Sequence, residues 1–133
     1  MENGMKILTI VGHNITDIPS FYDEINRVFM ADVGWTLGQS LDAFNDMLHG
    51  GYGAIAGNEP IRIVWQDIGN SRLALGLETT RDFLQNKLLQ PEVFNAHLIL
   101  NQLSELDGGA GKTYFEIIIE IIADHPNIEL VPA

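Results

Sequence analysis

Apolar residues occur along the chain with two spacings, one of which is typical of buried strands. Short apolar segments predict three strands, at residues 5–11, 60–65 and 128–131. In the second segment Ile61, Ile63 and Trp65 occupy alternate positions, which places them on one side of a strand. Since helical segments separate the strands, right-handed crossovers are expected to connect them. The pattern therefore predicts an α/β fold with a small three-stranded parallel sheet flanked by helices.

The second spacing, with apolar residues three and four positions apart, predicts helices. Five segments show it, at residues 17–29, 40–49, 79–89, 93–106 and 114–124. In the second of these helices Ser40 is a favourable N-cap, and the glycines from Gly50 onward end the helical pattern. Between residues 71 and 106 we expect two helices, neither of which needs a ligand to explain it.

The stretch DGGAGKT at residues 107–113 resembles a nucleotide-binding P-loop, but its context favours a helix start. A P-loop needs a glycine five positions before its Gly-Lys pair, where this chain has Leu106. The segment before it has helical spacing, whereas a P-loop follows a strand. Thr113 and Glu116 have the spacing of a capping box, in which each side chain satisfies a backbone N–H of the other residue. We therefore predict a capped helix here and no nucleotide cofactor.

The size and composition of the chain are those of one globular domain, expected to span residues 1–133. Its 46% hydrophobic content is sufficient for a buried core. No apolar run approaches the roughly twenty residues that span a bilayer, and the first residues lack the features of a secretory signal, so we expect a cytoplasmic protein. The chain has no cysteine, which excludes disulfides, thiolate nucleophiles and cysteine metal sites.

Negative charge is the strongest global signal in the sequence. Eighteen Asp and Glu residues against seven Lys and Arg residues give a formal net charge of −11. This charge disfavours binding to nucleic acid or to an anionic membrane, and it attracts a basic partner over long range. An excess of acidic residues can also serve solubility only. The distribution of the acids is therefore more informative than their number.

Two predicted helices each carry a stripe of acidic residues. On the helix at 40–49, Asp42 and Asp46 are four residues apart and share a face with Asn45 and His49. The helix at 114–124 carries a second acidic stripe, made of Glu116, Glu120 and Asp124. Like charges at this spacing cost stability. A solvated face without a partner and a binding surface both remain possible interpretations.

Several stretches resemble the barstar family, the intracellular inhibitors of the ribonuclease barnase. The resemblance covers HNITDIPSFYDEI, LGQSLDAFNDMLHGG, EPIRIVW and FEIIIEIIADHPNIELV. Its most specific part is the pattern Gly-x-x-Leu-Asp-Ala-x-x-Asp at residues 38–46, which is followed in order by Pro-x-x-x-x-Trp at residues 60–65. The resemblance implies a small parallel sheet with helices, and an inhibitory surface made by the second helix, its preceding loop and the last helix.

The resemblance also assigns roles to individual residues. Asp42 and Asp46 would enter the phosphate-binding cleft of a basic ribonuclease in place of RNA phosphates. Glu120 would be a further interface acid, and Asp124 a peripheral one. The complete set of expected partner-binding residues is Trp35, Leu37, Gly38, Ser40, Asp42, Asn45, Asp46, His49, Gly50, Glu120 and Asp124.

The chain departs from the family pattern at several places, and it also lacks the family's cysteines. Asn45 stands where the family has an aromatic residue, while the aromatic residue of the preceding loop is Trp35. The chain also has an insertion of roughly residues 66–112, for which the resemblance implies no role. This section could cover the sheet, contact a second partner or form an oligomer.

Three alternatives to ribonuclease inhibition follow from the same residues. A barstar-like module could bind a partner that is not a ribonuclease. An enzyme could use Asp42, Asp46 and His49 for acid–base chemistry, but the sequence indicates neither an apolar pocket nor an orienting partner. A metal site is disfavoured because the four histidines lack close ligand spacing. We expect neither an enzyme nor a metal-binding protein.

Overall fold

The three predicted strands form one parallel sheet in the computed structural model, which describes residues 5–133. The strands are β1 (Lys6–Val11), β2 (Ile61–Gln66) and β3 (Ile128–Pro132), in the spatial order β1-β2-β3. The central strand β2 buries Ile61, Ile63 and Trp65, as its alternating pattern predicts. The predicted α/β fold with a parallel sheet is therefore confirmed. Residues 1–4 of the predicted domain lie outside the described residues.

Helices connect the strands and flank the sheet. They are α1 (Ile18–Phe29), α2 (Leu41–Leu48), α3 (Ile68–Ala74), α4 (Leu77–Lys87), α5 (Ala96–Asp107) and α6 (Tyr114–Ala123). A short 3₁₀ turn, Gly12–Asn14, joins β1 to the segment before α1. None of the helices in the described part of the chain is long and apolar enough to cross a membrane.

The middle section differs from the prediction in two respects. Three helices lie between β2 and α6 instead of two, because Asp67 takes the left-handed conformation (φ 50°) and turns the chain directly from β2 into α3. At seven residues, α3 is too short to show a clear helical period. The predicted helix at 93–106 begins only at Ala96, because the Asn95 side chain accepts a hydrogen bond from Leu98 N (3.1 Å) and caps the helix there.

Aromatic side chains form the centre of the main core. The ring of Phe21 in α1 packs edge-on against Phe44 of α2 (5.6 Å between ring centroids) and stacks on Trp65 of β2 (6.3 Å). The hydroxyl groups of Tyr22 and Tyr114 form a buried hydrogen bond of 2.6 Å, which joins α1 to α6. The core therefore fixes α1, α2 and α6 relative to the sheet.

A buried carboxylate joins α1 to the end of β1. Glu24 is only 3% exposed, and it accepts hydrogen bonds from Val11 N (2.7 Å), Asn14 Nδ2 (3.2 Å) and the Arg27 guanidinium (2.6 and 2.8 Å). Burial by itself would raise the pKa of Glu24. The hydrogen bonds from Arg27, Val11 and Asn14, with the charge of Arg27, outweigh burial and lower this pKa below its ordinary value. The ionised form of Glu24 therefore belongs to the folded state.

Helices α4 and α5 form a hairpin with its own small core. Leu84, Ile99 and Leu106 are buried between the two helices. The ammonium group of Lys87 lies 4.4 Å from the ring centroid of Phe83, a cation–π contact at the edge of this core. The hairpin is joined to α6 through Thr80 of α4, whose Oγ1 accepts a hydrogen bond from Tyr114 N (2.8 Å).

The stretch DGGAGKT forms the connection from α5 to α6. The predicted capping box is present, since Thr113 N donates to Glu116 Oε1 (2.9 Å) and Glu116 N donates to Thr113 Oγ1 (3.1 Å). A helix and not a strand leads into this stretch. The Lys112 ammonium lies 2.7 Å from Glu120 Oε2. The lysine of the P-loop-like sequence is therefore engaged in an ion pair with α6.

The first prediction concerns Glu24. We expect Glu24→Gln to lower the free energy of unfolding by about 1–3 kcal/mol, because the amide cannot satisfy all the donors that meet the carboxylate. Since its pKa is lowered, the Glu24 contribution should be complete above about pH 4.5 and should disappear as the pH falls through the lowered pKa. Urea unfolding at several pH values measures both effects.

The matched control for Glu24 is Glu129→Gln. Glu129 pairs with Arg62 at 2.8 Å, but both side chains are about half exposed, so we expect a loss of about 0–1 kcal/mol. Equal losses in the two variants would contradict the role given to burial.

The second prediction concerns the P-loop-like stretch. We expect no saturable binding of ATP or GTP by isothermal titration calorimetry, because a helix precedes the glycines and Lys112 is paired with Glu120. Lys112→Ala should give the same result as the wild type. Binding in the wild type that is lost in Lys112→Ala would contradict this prediction.

Candidate functional site

The loop before α2 is held in place by a side chain of α1. Asn26 Oδ1 accepts a hydrogen bond from Leu37 N (2.6 Å), and Asn26 Nδ2 donates to Leu37 O (3.3 Å). The Leu37 side chain is 5% exposed, so this predicted site residue belongs to the core and determines the position of the loop. Gly38 is exposed, and its carbonyl accepts a hydrogen bond from Ser40 N (2.9 Å). The start of α2 is thereby fixed relative to α1.

Helix α2 is amphipathic and presents its two aspartates to solvent. Ser40 Oγ accepts a hydrogen bond from Ala43 N (3.3 Å), which confirms the predicted N-cap. Phe44, Met47 and Leu48 are buried in the core, while Asp42 and Asp46 are exposed. None of the ion pairs within residues 5–133 includes either aspartate. Helix α2 is therefore fixed by its buried side and exposes two carboxylates that form no ion pair with a described residue.

An aromatic pair lies beside Asp46. Trp35, in the loop before α2, is 50% exposed, and its ring packs on Tyr52 with the centroids 4.9 Å apart. Partial burial raises the pKa of Tyr52, and the negative charge of Asp46 adds to this effect. Tyr52 was not among the predicted site residues. Its position in a glycine-rich loop after α2 gave no sign that it contacts a residue before the helix.

Gly50 shapes the loop that follows α2. Its φ of +85° is in the left-handed region, and a Cβ at this position would lie 2.3 Å from Gly57 O. Gly57 N also donates a hydrogen bond to Gly50 O (2.8 Å), which folds the loop back on itself. The structural role of Gly50 is therefore to close the loop that contains Tyr52.

A cluster of Asn45, His49 and His125 lies where α2 meets the end of α6. His125 is 6% exposed, and its Nε2 lies 2.8 Å from Asn45 Oδ1, a hydrogen bond that the ring N–H donates. The ring of the exposed His49 meets His125 edge-on at 4.7 Å. Burial lowers the pKa of His125, and the nearby His49 lowers it further, against the opposing charge of Asp124. The sequence predicted Asn45 and His49 as site residues but missed His125, 80 positions from Asn45.

The two acids predicted on the last helix have different surroundings. Asp124 is the C-cap residue of α6, exposed and directly before His125, so it lies close to the end of α2. Glu120 is engaged in the ion pair with Lys112 and lines a groove with Ile68 and Arg72 of α3. The structure thus brings Asp124 next to the cluster on α2, whereas the described polar contacts of Glu120 are with Lys112.

Asp42 and Asp46 lie outside the two main grooves of the described part of the chain. Neither aspartate lines the groove between α4, α5 and α6 or the groove between α3, α6 and β3. Among the residues that the structure describes, no group of three or more His, Asp or Glu side chains could hold a metal ion. His13 and Asp67 approach to 3.3 Å at the carboxyl ends of β1 and β2, where both are exposed. Asp42 and Asp46 are therefore exposed carboxylates on the outer face of α2.

A comparison with models of protein families gave a match to this chain. The family model described as Barstar (barnase inhibitor) matches residues 5–88, which is more than half of the chain. The match runs from β1 into the last turn of α4, and so it includes the loop before α2 and α2 itself. A comparison with curated proteins gave no match. The matched family model and the parallel sheet with its flanking helices show that the chain belongs to the barstar family.

Proposed function

We propose that this protein inhibits a basic ribonuclease by placing the acidic face of α2 in the active-site cleft of the enzyme. The observation that carries the proposal is the pair Asp42 and Asp46, exposed on a helix fixed in the core and without a cation among the described residues. A ribonuclease binds the phosphates of RNA with Arg and Lys side chains. Carboxylates on a rigid helix present the same charge to those cations.

The charge distribution suits this function in two ways. Arginine can bind a carboxylate through two parallel hydrogen bonds, which gives affinity and fixes orientation. The net charge of −11 accelerates the encounter with a basic protein. Within residues 5–133, Asp42 and Asp46 have no ion pair that binding would have to break. Glu120 would first have to exchange Lys112 for a partner cation, so we assign it a smaller part than Asp46.

Trp35 and Tyr52 supply an apolar surface beside the acids. An aromatic side chain that is half exposed and supported by a second ring buries a large area on binding at a small cost in conformational entropy. Tyr52 is close enough to Asp46 for the aspartate charge to affect its pKa. We therefore place the centre of the interface between Asp46 and the Trp35–Tyr52 pair, with Asp124 at its rim.

A second candidate function is binding of a partner other than a ribonuclease. The observation in its favour is the hairpin of α4 and α5, which presents exposed apolar side chains such as Leu98 and Leu100. These residues lie away from the core of the hairpin and could contact a different protein. Inhibition of RNA hydrolysis by a basic ribonuclease, titrated with the purified protein, distinguishes the two candidates.

The third prediction concerns Asp46. We expect Asp46→Ala to weaken inhibition by roughly 2–5 kcal/mol, mainly through faster dissociation, because it leaves partner cations buried without a counter-charge. The barnase–barstar complex is itself one of the systems that established this magnitude. Stopped-flow association and dissociation with a barnase-like ribonuclease measure the effect.

The matched control for Asp46 is Asp82→Ala, which removes the same charge from an exposed position on α4. It should leave the dissociation rate unchanged. If Asp42→Ala and Asp46→Ala both preserve inhibition while Leu98→Asp abolishes it, then the hairpin and not α2 binds the partner.

The fourth prediction concerns Asp124. As an exposed rim charge, it should act on the association rate, and Asp124→Ala should slow association at low salt. The effect should fade as salt shortens the Debye length to about 8 Å at physiological ionic strength. A salt series of association rates checks this, and a dissociation effect as large as that of Asp46→Ala would contradict the rim position.

A further inference from the structure

We infer that His125 is a positioning residue for α2, and that its protonation weakens binding of a basic partner through that helix. This inference rests on the proposed function, since it concerns the same surface. It starts from the partly buried contact in which His125 Nε2 lies 2.8 Å from Asn45 Oδ1. Asn45 directly precedes Asp46 and is three residues after Asp42 in α2. The bond therefore acts on the part of the helix that carries both exposed acids.

The backbone around His125 is rigid enough to serve as an anchor. His125 N donates to Ile122 O (3.1 Å) at the end of α6, and His125 O accepts from Ile128 N (3.0 Å) at the start of β3. Because both sides of His125 are fixed by secondary structure, the position of its ring is determined by α6 and the sheet. Asn45 is the residue of α2 that hydrogen-bonds to this ring.

A proton on His125 has few stabilising contacts. The neutral ring has one N–H, which Asn45 Oδ1 accepts, and the protonated ring has a second N–H at Nδ1 with no hydrogen bond to a described protein group. The charged groups that face the ring are His49 from α2 and Asp124 from α6. His49 opposes the charge and Asp124 favours it, while burial opposes it most strongly. The connection from Pro126 to Asn127 adds no charged side chain.

The direction of the effect follows from these contacts. The pKa of His125 lies below its ordinary value of 6.5 in the folded protein, so acidification favours arrangements in which the ring reaches water. Such an arrangement breaks the hydrogen bond to Asn45, which removes the polar tie between α2 and the end of α6 while Phe44, Met47 and Leu48 stay in the core. Positive charge on His125 also repels a basic partner. The pKa of His125 is lowered, so the affinity should fall as the pH drops through this lowered pKa.

The test compares the wild type with His125→Gln. The glutamine amide can donate to Asn45 Oδ1 but does not titrate. The inhibition constant for one barnase-like ribonuclease is measured for both proteins between about pH 5.5 and 8. Protons that the ribonuclease itself binds affect both proteins equally and cancel in the ratio of the two constants. We expect the wild type to lose affinity relative to His125→Gln as the pH falls through the lowered pKa of His125, by at most about tenfold per pH unit for one linked proton.

Two further variants extend the comparison. His49→Gln removes the opposing charge beside His125, so it should move the loss of affinity to higher pH without abolishing it. Asn45→Ala removes the acceptor and retains His125, so it should lower the affinity already at pH 8 and reduce its pH dependence. If the ratio of the wild-type inhibition constant to that of His125→Gln does not change with pH, the inference is wrong.

A measurement on the free protein separates failure of this inference from failure of the proposed function. Proton–nitrogen correlation spectra follow the backbone amides of Asn45 and Asp46 while the His125 ring is titrated. These amides should shift with the pKa of His125 in the wild type and should lose that transition in His125→Gln. Amides that do not follow the ring would overturn the positioning role, whether or not a ribonuclease is inhibited. Absence of inhibition at every pH would instead overturn the proposed function.

Discussion

Packing of Phe21 against Phe44 and Trp65 is the contact on which the rest of the structure depends. It joins α1, α2 and the central strand β2 at one point in the core. Once Phe44 is buried there, the opposite side of α2 must face outward, and that side carries Asp42 and Asp46. The exposure of the acids is therefore a consequence of core packing and not a separate feature of the surface.

The energetic balance on α2 favours packing over charge repulsion. Burial of an aromatic side chain such as Phe44 stabilises the fold by roughly 1.5–3 kcal/mol. Two like charges four residues apart on an exposed helix cost only about 0.2–0.5 kcal/mol. Packing of α2 therefore outweighs the repulsion between Asp42 and Asp46, even though neither forms an ion pair within residues 5–133. Because both carboxylates are already in position, binding to cations of a partner would cost little conformational entropy on this side.

The hairpin of α4 and α5 is attached to this arrangement without being part of it. Its own core contains Leu84, Ile99 and Leu106, and its described hydrogen bond to α6 runs through Thr80. The family match includes α4 but ends before α5. The surface of α2 is instead coupled to α6 by the bond between Asn45 and His125. Asn45 thus has a structural role, because its side chain satisfies the buried ring of His125.

Local patterns in the sequence determined the elements of this protein. The alternation of Ile61, Ile63 and Trp65 is sufficient to predict β2, and the spacing of Thr113 and Glu116 is sufficient to predict the start of α6, since both depend on neighbours within a few residues. The shared face of Asp42 and Asp46 follows from helical geometry in the same way.

Only the tertiary structure decided which residues meet across the chain. Asn45 contacts His125, and Trp35 contacts Tyr52. The left-handed turn at Asp67, which starts the short helix α3, is also absent from the periodic pattern. Periodicity assigns each residue to a face of its own element, but the packing of the elements around the core determines which faces come together.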